Sequence, residues 1–186
     1  MMRILALSGS LREQSLNSAV ARAAAELAPA GVDVEVFDRL GDVPLYDADL
    51  DVPGEEPAGV RELRERIRAA DALLVVTPEY NGSVPGVLKN AIDWASRPPG
   101  GGAPLWGKTA AVAGATTGQY GALWAQQDLR RILGIAGARV LEGELPIARA
   151  QNAFDEELHL RDPLVAERLR THLEALVQDV AVPLAA

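Results

Sequence analysis

Five times along this chain a short apolar run gives way to an amphipathic helical pattern, and this alternation restricts its fold more than any other feature. The runs are Ile4 to Leu7, Val32 to Phe37, Ala72 to Val76, Thr109 to Ala113, and a weaker one near Arg139 to Leu141. They are nearly continuous in apolar residues, as strands buried on both faces are. The helical stripes begin with Leu16, Val20, Ala23 and Leu27, then Val60, Leu63 and Ile67, then Leu88, Ala91, Ile92 and Ala95. Ala125, Leu129, Ile132, Leu133 and Ala136 give a fourth stripe, and Val165, Leu169, Leu173, Leu176 and Val180 a fifth. Parallel neighbours need crossover connections, so the pattern predicts an α/β three-layer sandwich around a five-stranded parallel sheet of strand order 2-1-3-4-5. In that order a ligand lies beyond the carboxyl ends of the strands, where the first and third strand exits are neighbours.

The loops at those exits are unusual. The first apolar run passes into Ser8-Gly9-Ser10-Leu11-Arg12-Glu13-Gln14-Ser15-Leu16-Asn17. Gly9 permits a close approach, Ser10, Ser15 and Asn17 offer donors, Arg12 brings positive charge, and the following helix aims unpaired N–H groups at the same point. This reads as a phosphate cradle. It is neither the dinucleotide GxGxxG, whose second and third glycines are missing, nor a P-loop, whose lysine is missing. The alternative reading is a tight turn with Ser15 or Asn17 as the helix cap.

After the third run comes Thr77-Pro78-Glu79-Tyr80-Asn81-Gly82-Ser83-Val84-Pro85-Gly86. Thr77-Pro78 favours extended backbone, and Asn81-Gly82 favours a sharp turn that exposes amides suited to a flat heteroaromatic ring. Tyr80 can pack on a ligand edge or on a second subunit, and Glu79 faces solvent or orients the loop. A third loop, Ala115-Thr116-Thr117-Gly118-Gln119-Tyr120-Gly121, follows the fourth run. There Thr117, Gly118 and Gln119 either meet the ligand's polar edge or form a helix-entry turn.

Gly9-Ser10-Leu11-Arg12 with Ser15 and Asn17, joined to the string from Pro78 through Lys89-Asn90-Ala91-Ile92-Asp93-Trp94, resembles the NADPH-dependent FMN reductase family over nearly the whole chain. The resemblance implies a flavodoxin-like fold and noncovalent FMN. It implies electron transfer from NADPH or NADH to a small-molecule acceptor: a quinone, free flavin, an azo compound or chromate; with donor and acceptor using one flavin face in turn, ping-pong hydride transfer is the expected mechanism. By that likeness Ser10, Arg12, Ser15, Leu16 and Asn17 match the FMN phosphate loop, and Pro78, Glu79, Tyr80 and Asn81 the ring loop. It also implies a homodimer or homotetramer. No side chain is assigned a catalytic role, because the cofactor carries the chemistry. The competing readings are a flavodoxin-like electron carrier, whose first loop would be expected to resemble TxTGxT, and a flavin-binding regulatory module.

Composition narrows the field further. The 186 residues suit one domain spanning 1–186. A net charge of -8 argues against nucleic acid as a partner. Cysteine is absent, which removes thiol and cysteine–metal chemistry. No apolar stretch approaches the roughly 20 residues that cross a bilayer, and no secretory leader opens the sequence, so a cytoplasmic protein without a membrane partner is expected. His159 and His172 lack companion ligands and are expected at the surface or an interface, with no metal site. Trp94 is expected as a buried anchor or interface residue, and Lys89, Asn90 and Asp93 as packing and assembly residues. The connections 38–57 and 142–163 are expected to form a substrate rim or subunit contact. Pro98-Pro99-Gly100-Gly101-Gly102 reads as a mobile turn.

Overall fold

The computed structural model describes residues 1–98, 100 and 102–181. Strands β1 (Met2–Ser8), β2 (Val32–Phe37), β3 (Ala72–Thr77) and β4 (Thr109–Ala115) pair in parallel in the order β2-β1-β3-β4. Next to β4 the sheet is divided. β5 (Arg139–Val140) pairs with Thr109 and Ala110, and β6 (Leu145–Ile147) pairs with Ala113 to Ala115. The order 2-1-3-4-5 is as expected, while the fifth strand is two short pieces separated by a loop containing Gly143 at φ 88°. The Val112 carbonyl, between the two paired stretches, accepts a hydrogen bond from His172 Nε2 at 2.9 Å. A side chain thus fills a place where a strand would have donated. His172 is half-buried, and this burial holds its pKa below the ordinary value.

The alternation of side chains along each strand divides the core into two layers. Ile4, Ala6, Leu74 and Val76 face α1 (Leu16–Glu26) and α5 (Pro163–Val180). Leu5, Leu7, Leu73 and Val75 face α2 (Ala58–Ala69), α3 (Gly86–Ala95) and α4 (Leu123–Ile135). All five apolar stripes meet the sheet, which makes the three-layer sandwich. Ser15 caps α1 by accepting from Ser18 N, and Asp162 caps α5 by accepting from Leu164 and Val165 N.

The 38–57 connection is a packed strap. Asn90 accepts from Tyr46 N at 2.8 Å and donates to Pro44 O at 2.8 Å, and Trp94 Nε1 donates to the same carbonyl at 2.8 Å. Arg64, only 3% exposed, holds both carboxylate oxygens of Asp51 and the Trp94 carbonyl. A buried guanidinium is tolerable only with such complete pairing. Trp94 is fully buried, as a packing anchor should be. Of the turn expected at 98–102, Pro99 and Gly101 lie outside the described residues.

Candidate functional site

The three loops meet at one edge of the sheet. Gly9 N donates to Val76 O at 2.8 Å, extending the β1–β3 contact past the strand end. A side chain at Gly9 would put Cβ 3.0 Å from Leu88 Cδ2 and 3.3 Å from Pro78 Cδ, so glycine is what lets the first loop lie against the second. Leu11 to Gln14 are exposed. The Arg12 guanidinium has one contact, to the Gln14 carbonyl at 3.1 Å, and no ion pair among the described residues. Ser10 is half-buried, and its hydroxyl lies 3.4 Å from Arg12 N. At the start of α1 the first helical bond runs from Ala19 N to Ser15 O. The N–H groups of Leu16 and Asn17 thus have no helical partner.

Asn17 does more than supply a backbone donor. Its side chain is buried and spans α1 to the end of β4, donating to Ala115 O at 3.0 Å and accepting from Ala115 N at 2.9 Å. This pair of hydrogen bonds ties the first loop to the third. The amide side chain is spent on that clamp, which leaves the Asn17 N–H for a ligand.

The second loop is held firmly. Tyr80 and Ser83 exchange backbone bonds of 3.0 and 3.1 Å around Asn81 and Gly82, whose φ values are 54° and 74°. Positive φ at both positions is the demand that Asn-Gly meets with least strain. Pro78 is buried against Gly9, whereas Tyr80 and Asn81 are exposed. Glu79 Oε2 accepts from Ala125 N at 3.1 Å and supplies α4 with the cap that Ala122 cannot. Ser83 Oγ donates to Asp128 Oδ2. That bond and the neighbouring Arg131 hold the Asp128 carboxyl below its ordinary pKa. Glu79 is therefore a loop-orienting residue.

The third loop rests on the segment after β6. Thr116 N donates to Ile147 O at 3.2 Å, Ala150 N to Thr116 O at 2.9 Å, and Arg149 N to Gly118 O at 2.9 Å. Thr117, Gly118 and Gln119 are exposed, and no described residue accepts from their N–H groups. Beneath them Gln126, fully buried, donates to Gly121 O and accepts from Leu145 N, each at 2.9 Å. Sequence reading did not single out Gln126 or Arg149. The available signal for Gln126 was a polar residue beside Ala125 in an otherwise apolar stripe.

The residues present fit FMN. A phosphate requires a cation and convergent donors, which Arg12, Ser10, Ser15 and the first turn of α1 supply without breaking an existing ion pair. A flat ring with a polar edge requires a firm wall and free amides, which the second and third loops supply. The Asp155, Glu157 and His159 carboxylates and imidazole lie together, but Asp155 is engaged by Arg161 and the His159 N–H, so the group carries no metal assignment. A cavity of about 630 Å³ lies between α3 and α4, bordering the second loop at Ser83 and Val84, with Ile92, Ile132, Ile135 and Trp106 in its lining.

Comparison with known proteins agrees with this geometry. The model of a family described as NADPH-dependent FMN reductase matches residues 2–152. An NAD(P)H-dependent FMN reductase of Pseudomonas aeruginosa is 48% identical over 175 residues, covering 94% of this chain and 92% of that enzyme. A quinone reductase of Escherichia coli is 45% identical over 140 residues, covering 75% of this chain and 73% of its own length. Among solved structures, the flavoenzyme NAD(P)H:(acceptor) oxidoreductase FerB from Paracoccus denitrificans superposes with a TM-score of 0.83 at 35% identity, covering 97% of both chains.

Proposed function

The chain belongs to the NADPH-dependent FMN reductase family, and from that premise we propose how its three strand-end loops divide the work. The protein is an FMN-dependent NAD(P)H oxidoreductase. Bound FMN would supply the redox chemistry, hydride acceptance from the reduced nicotinamide and two-electron delivery to the acceptor, while the chain's own residues hold and orient it. In this reading Arg12, Ser10, Ser15 and the N–H groups of Leu16 and Asn17 hold the phosphate. Pro78, Glu79, Tyr80 and Asn81 form the wall beside the ring, with Glu79 acting through its bond to α4. The free N–H groups of Thr117, Gly118 and Gln119 meet the ring's polar edge and favour the negative charge that reduction brings. The observation that carries this reading is that Arg12, which has no ion pair among the described residues, and the free N–H groups of Leu16, Asn17 and residues 117–119 gather at the same sheet edge, while the Tyr80–Ser83 pair and the bonds to α4 hold the second loop in shape.

Quinones are the acceptor class we favour, because relatives in Escherichia coli, Pseudomonas putida and Burkholderia are quinone reductases. Free flavin, azo compounds and chromate belong to the same reading as further acceptors. Donor and acceptor take turns at one exposed site, which gives ping-pong kinetics. We further assign residues 1–186 to one domain and the protein to the cytoplasm; no helix among the described residues is long and apolar enough to cross a membrane. A homodimer or homotetramer is supported by the half-exposed Trp106 and the exposed Ile135 at the α3–α4 cavity.

The test uses FMN-loaded protein, mixed without oxygen with NADPH or NADH and then with excess benzoquinone. The account expects loss of the visible flavin absorbance, its return on quinone addition, and many turnovers per protein. Bound flavin that neither nucleotide reduces would contradict it in favour of a carrier or regulatory module.

A further inference from the structure

Arg149 stands where the chain leaves β6, and its backbone N–H donates to the Gly118 carbonyl at 2.9 Å, in the middle of the third loop. We propose that its guanidinium supplies the positive charge at the polar edge of the flavin ring, and so favours the reduced, anionic ring over the oxidised one. The proposal rests on the reductase reading above and adds to it a residue that sets the flavin's potential.

Three observations carry the inference. The first is the charge of the loops assigned to the ring. Residues 77–86 and 115–121 contain no lysine or arginine, and their one carboxylate is Glu79. A hydride added to a neutral ring leaves one negative charge on it. Glu79 opposes that charge, and the free amides of Thr117, Gly118 and Gln119 answer it only with partial charges. The two loops hold no cation of their own, and Arg149 is bonded to one of them.

The second is the state of that cation. Arg149 is exposed, and among the described residues its guanidinium has no hydrogen bond, ion pair or ring contact. Other arginines around this segment are occupied: Arg168 donates to Pro146 O at 3.0 Å, and Arg161 pairs with Asp155 at 2.6 Å. Ala148 and Ala150 flank Arg149 and bring no charge. Its side chain can turn to an anion without giving up a partner.

The third is the backbone. Arg149 has φ 47° and ψ 41°, a left-handed conformation that glycine or asparagine adopts with less strain. The turn uses its N–H, for Gly118 O, and its carbonyl, which accepts from Asn152 N at 2.9 Å. Glycine would supply both. Nothing in the turn calls for arginine, so the use of the side chain lies outside it. Those same bonds fix where the side chain starts, beside the central one of the three residues whose N–H groups are free.

The experiment measures the midpoint potential of FMN-loaded protein, by reductive titration without oxygen against a reference dye, for wild type, Arg149→Gln, Arg149→Lys and Arg149→Gly. FMN affinity and urea unfolding midpoints of the flavin-free proteins are recorded alongside. Arg149→Gln should lower the potential by about 30 mV, a loss of about tenfold in preference for the reduced ring in a two-electron couple. Affinity for oxidised FMN should hardly change. Arg149→Lys keeps the charge and should retain most of the potential. Arg149→Gly relieves the left-handed strain, so its unfolding midpoint should hold or rise while its potential falls as in Arg149→Gln. A potential unchanged in Arg149→Gln, one lowered equally in Arg149→Lys, or one that falls only where the unfolding midpoint falls would overturn the proposal. The dye titration needs no nicotinamide. A potential that depends on Arg149 in a protein that neither NADPH nor NADH reduces would contradict the reductase reading and uphold this assignment. A potential indifferent to Arg149 in a protein that turns over normally would contradict this assignment alone.

Discussion

The first and second loops leave adjacent strands and touch at Gly9 and Pro78, yet they are built in opposite ways. From Leu11 to Gln14 the first loop is exposed, and its cation touches only a carbonyl of its own loop. The second is closed on itself by the Tyr80–Ser83 pair and fastened to α4 through Glu79 and Ser83. Unused donors mark a surface whose partner comes from outside the chain. Used donors mark a shape that must already exist when the partner arrives. A phosphate group can be met by charge and amides, while a flat ring needs a wall that holds its place, and the two loops supply these separately.

Asn17 crosses that division and provides the severest test of it. Asn17→Ala would leave the buried N–H and C=O of Ala115 without partners and should cost about 2–4 kcal/mol of stability in urea unfolding. FMN affinity should fall with it, because the first and third loops lose their tie. Full stability in this variant would break the claim that the clamp sets loop geometry.

Glu79→Ala removes a helix cap in the braced loop and should cost about 1 kcal/mol, measured the same way. Its effect on FMN binding should be indirect and smaller than that of losing Arg12. The reverse ranking would mean that Glu79 contacts the ligand.

His172 lies far from both loops in sequence but supports β4, which leads into the third loop. Its pKa is lowered chiefly by burial, partly offset by its bond to the Val112 carbonyl, with Arg168 adding a lesser lowering. The folded state therefore binds a proton less readily than the unfolded chain. Its contribution is present above the ordinary histidine pKa of about 6.5 and is lost as pH falls through the lower folded value. His172→Gln should flatten the stability profile in that window. An unaltered profile would assign the pH dependence to carboxylates such as Asp128, whose depressed pKa makes its contribution fade at still lower pH.

Much of this was legible in the sequence because burial on both faces forces apolar runs, and β1 to β4 have them. The divided edge was not legible. β6 is three residues with Pro146 at its centre, a strand too short and too proline-marked to stand out, and it forms because β4 offers an open edge. Arg64 lies among charged neighbours in α2 that suggest a solvated face, and only the fold brings Asp51 and the Trp94 carbonyl to it. The site loops were legible as a set, since small and turn-forming residues at strand exits have few other uses. The split of roles within them was hidden, because Asn17 looks like a ligand donor until its partner at Ala115 is seen, and only the bond from Ala125 N decides between the two roles open to Glu79.

The most direct test of the division between loops is FMN binding to the flavin-free protein, by quenching of flavin fluorescence, for wild type and Arg12→Ala, with unfolding midpoints recorded on the same samples. The account predicts a loss of FMN affinity of about 10–100-fold, the range of one charge-assisted hydrogen bond, with the midpoint of the flavin-free protein unchanged. Unchanged affinity in a folded Arg12→Ala protein would contradict the assignment of the first loop as the phosphate cradle.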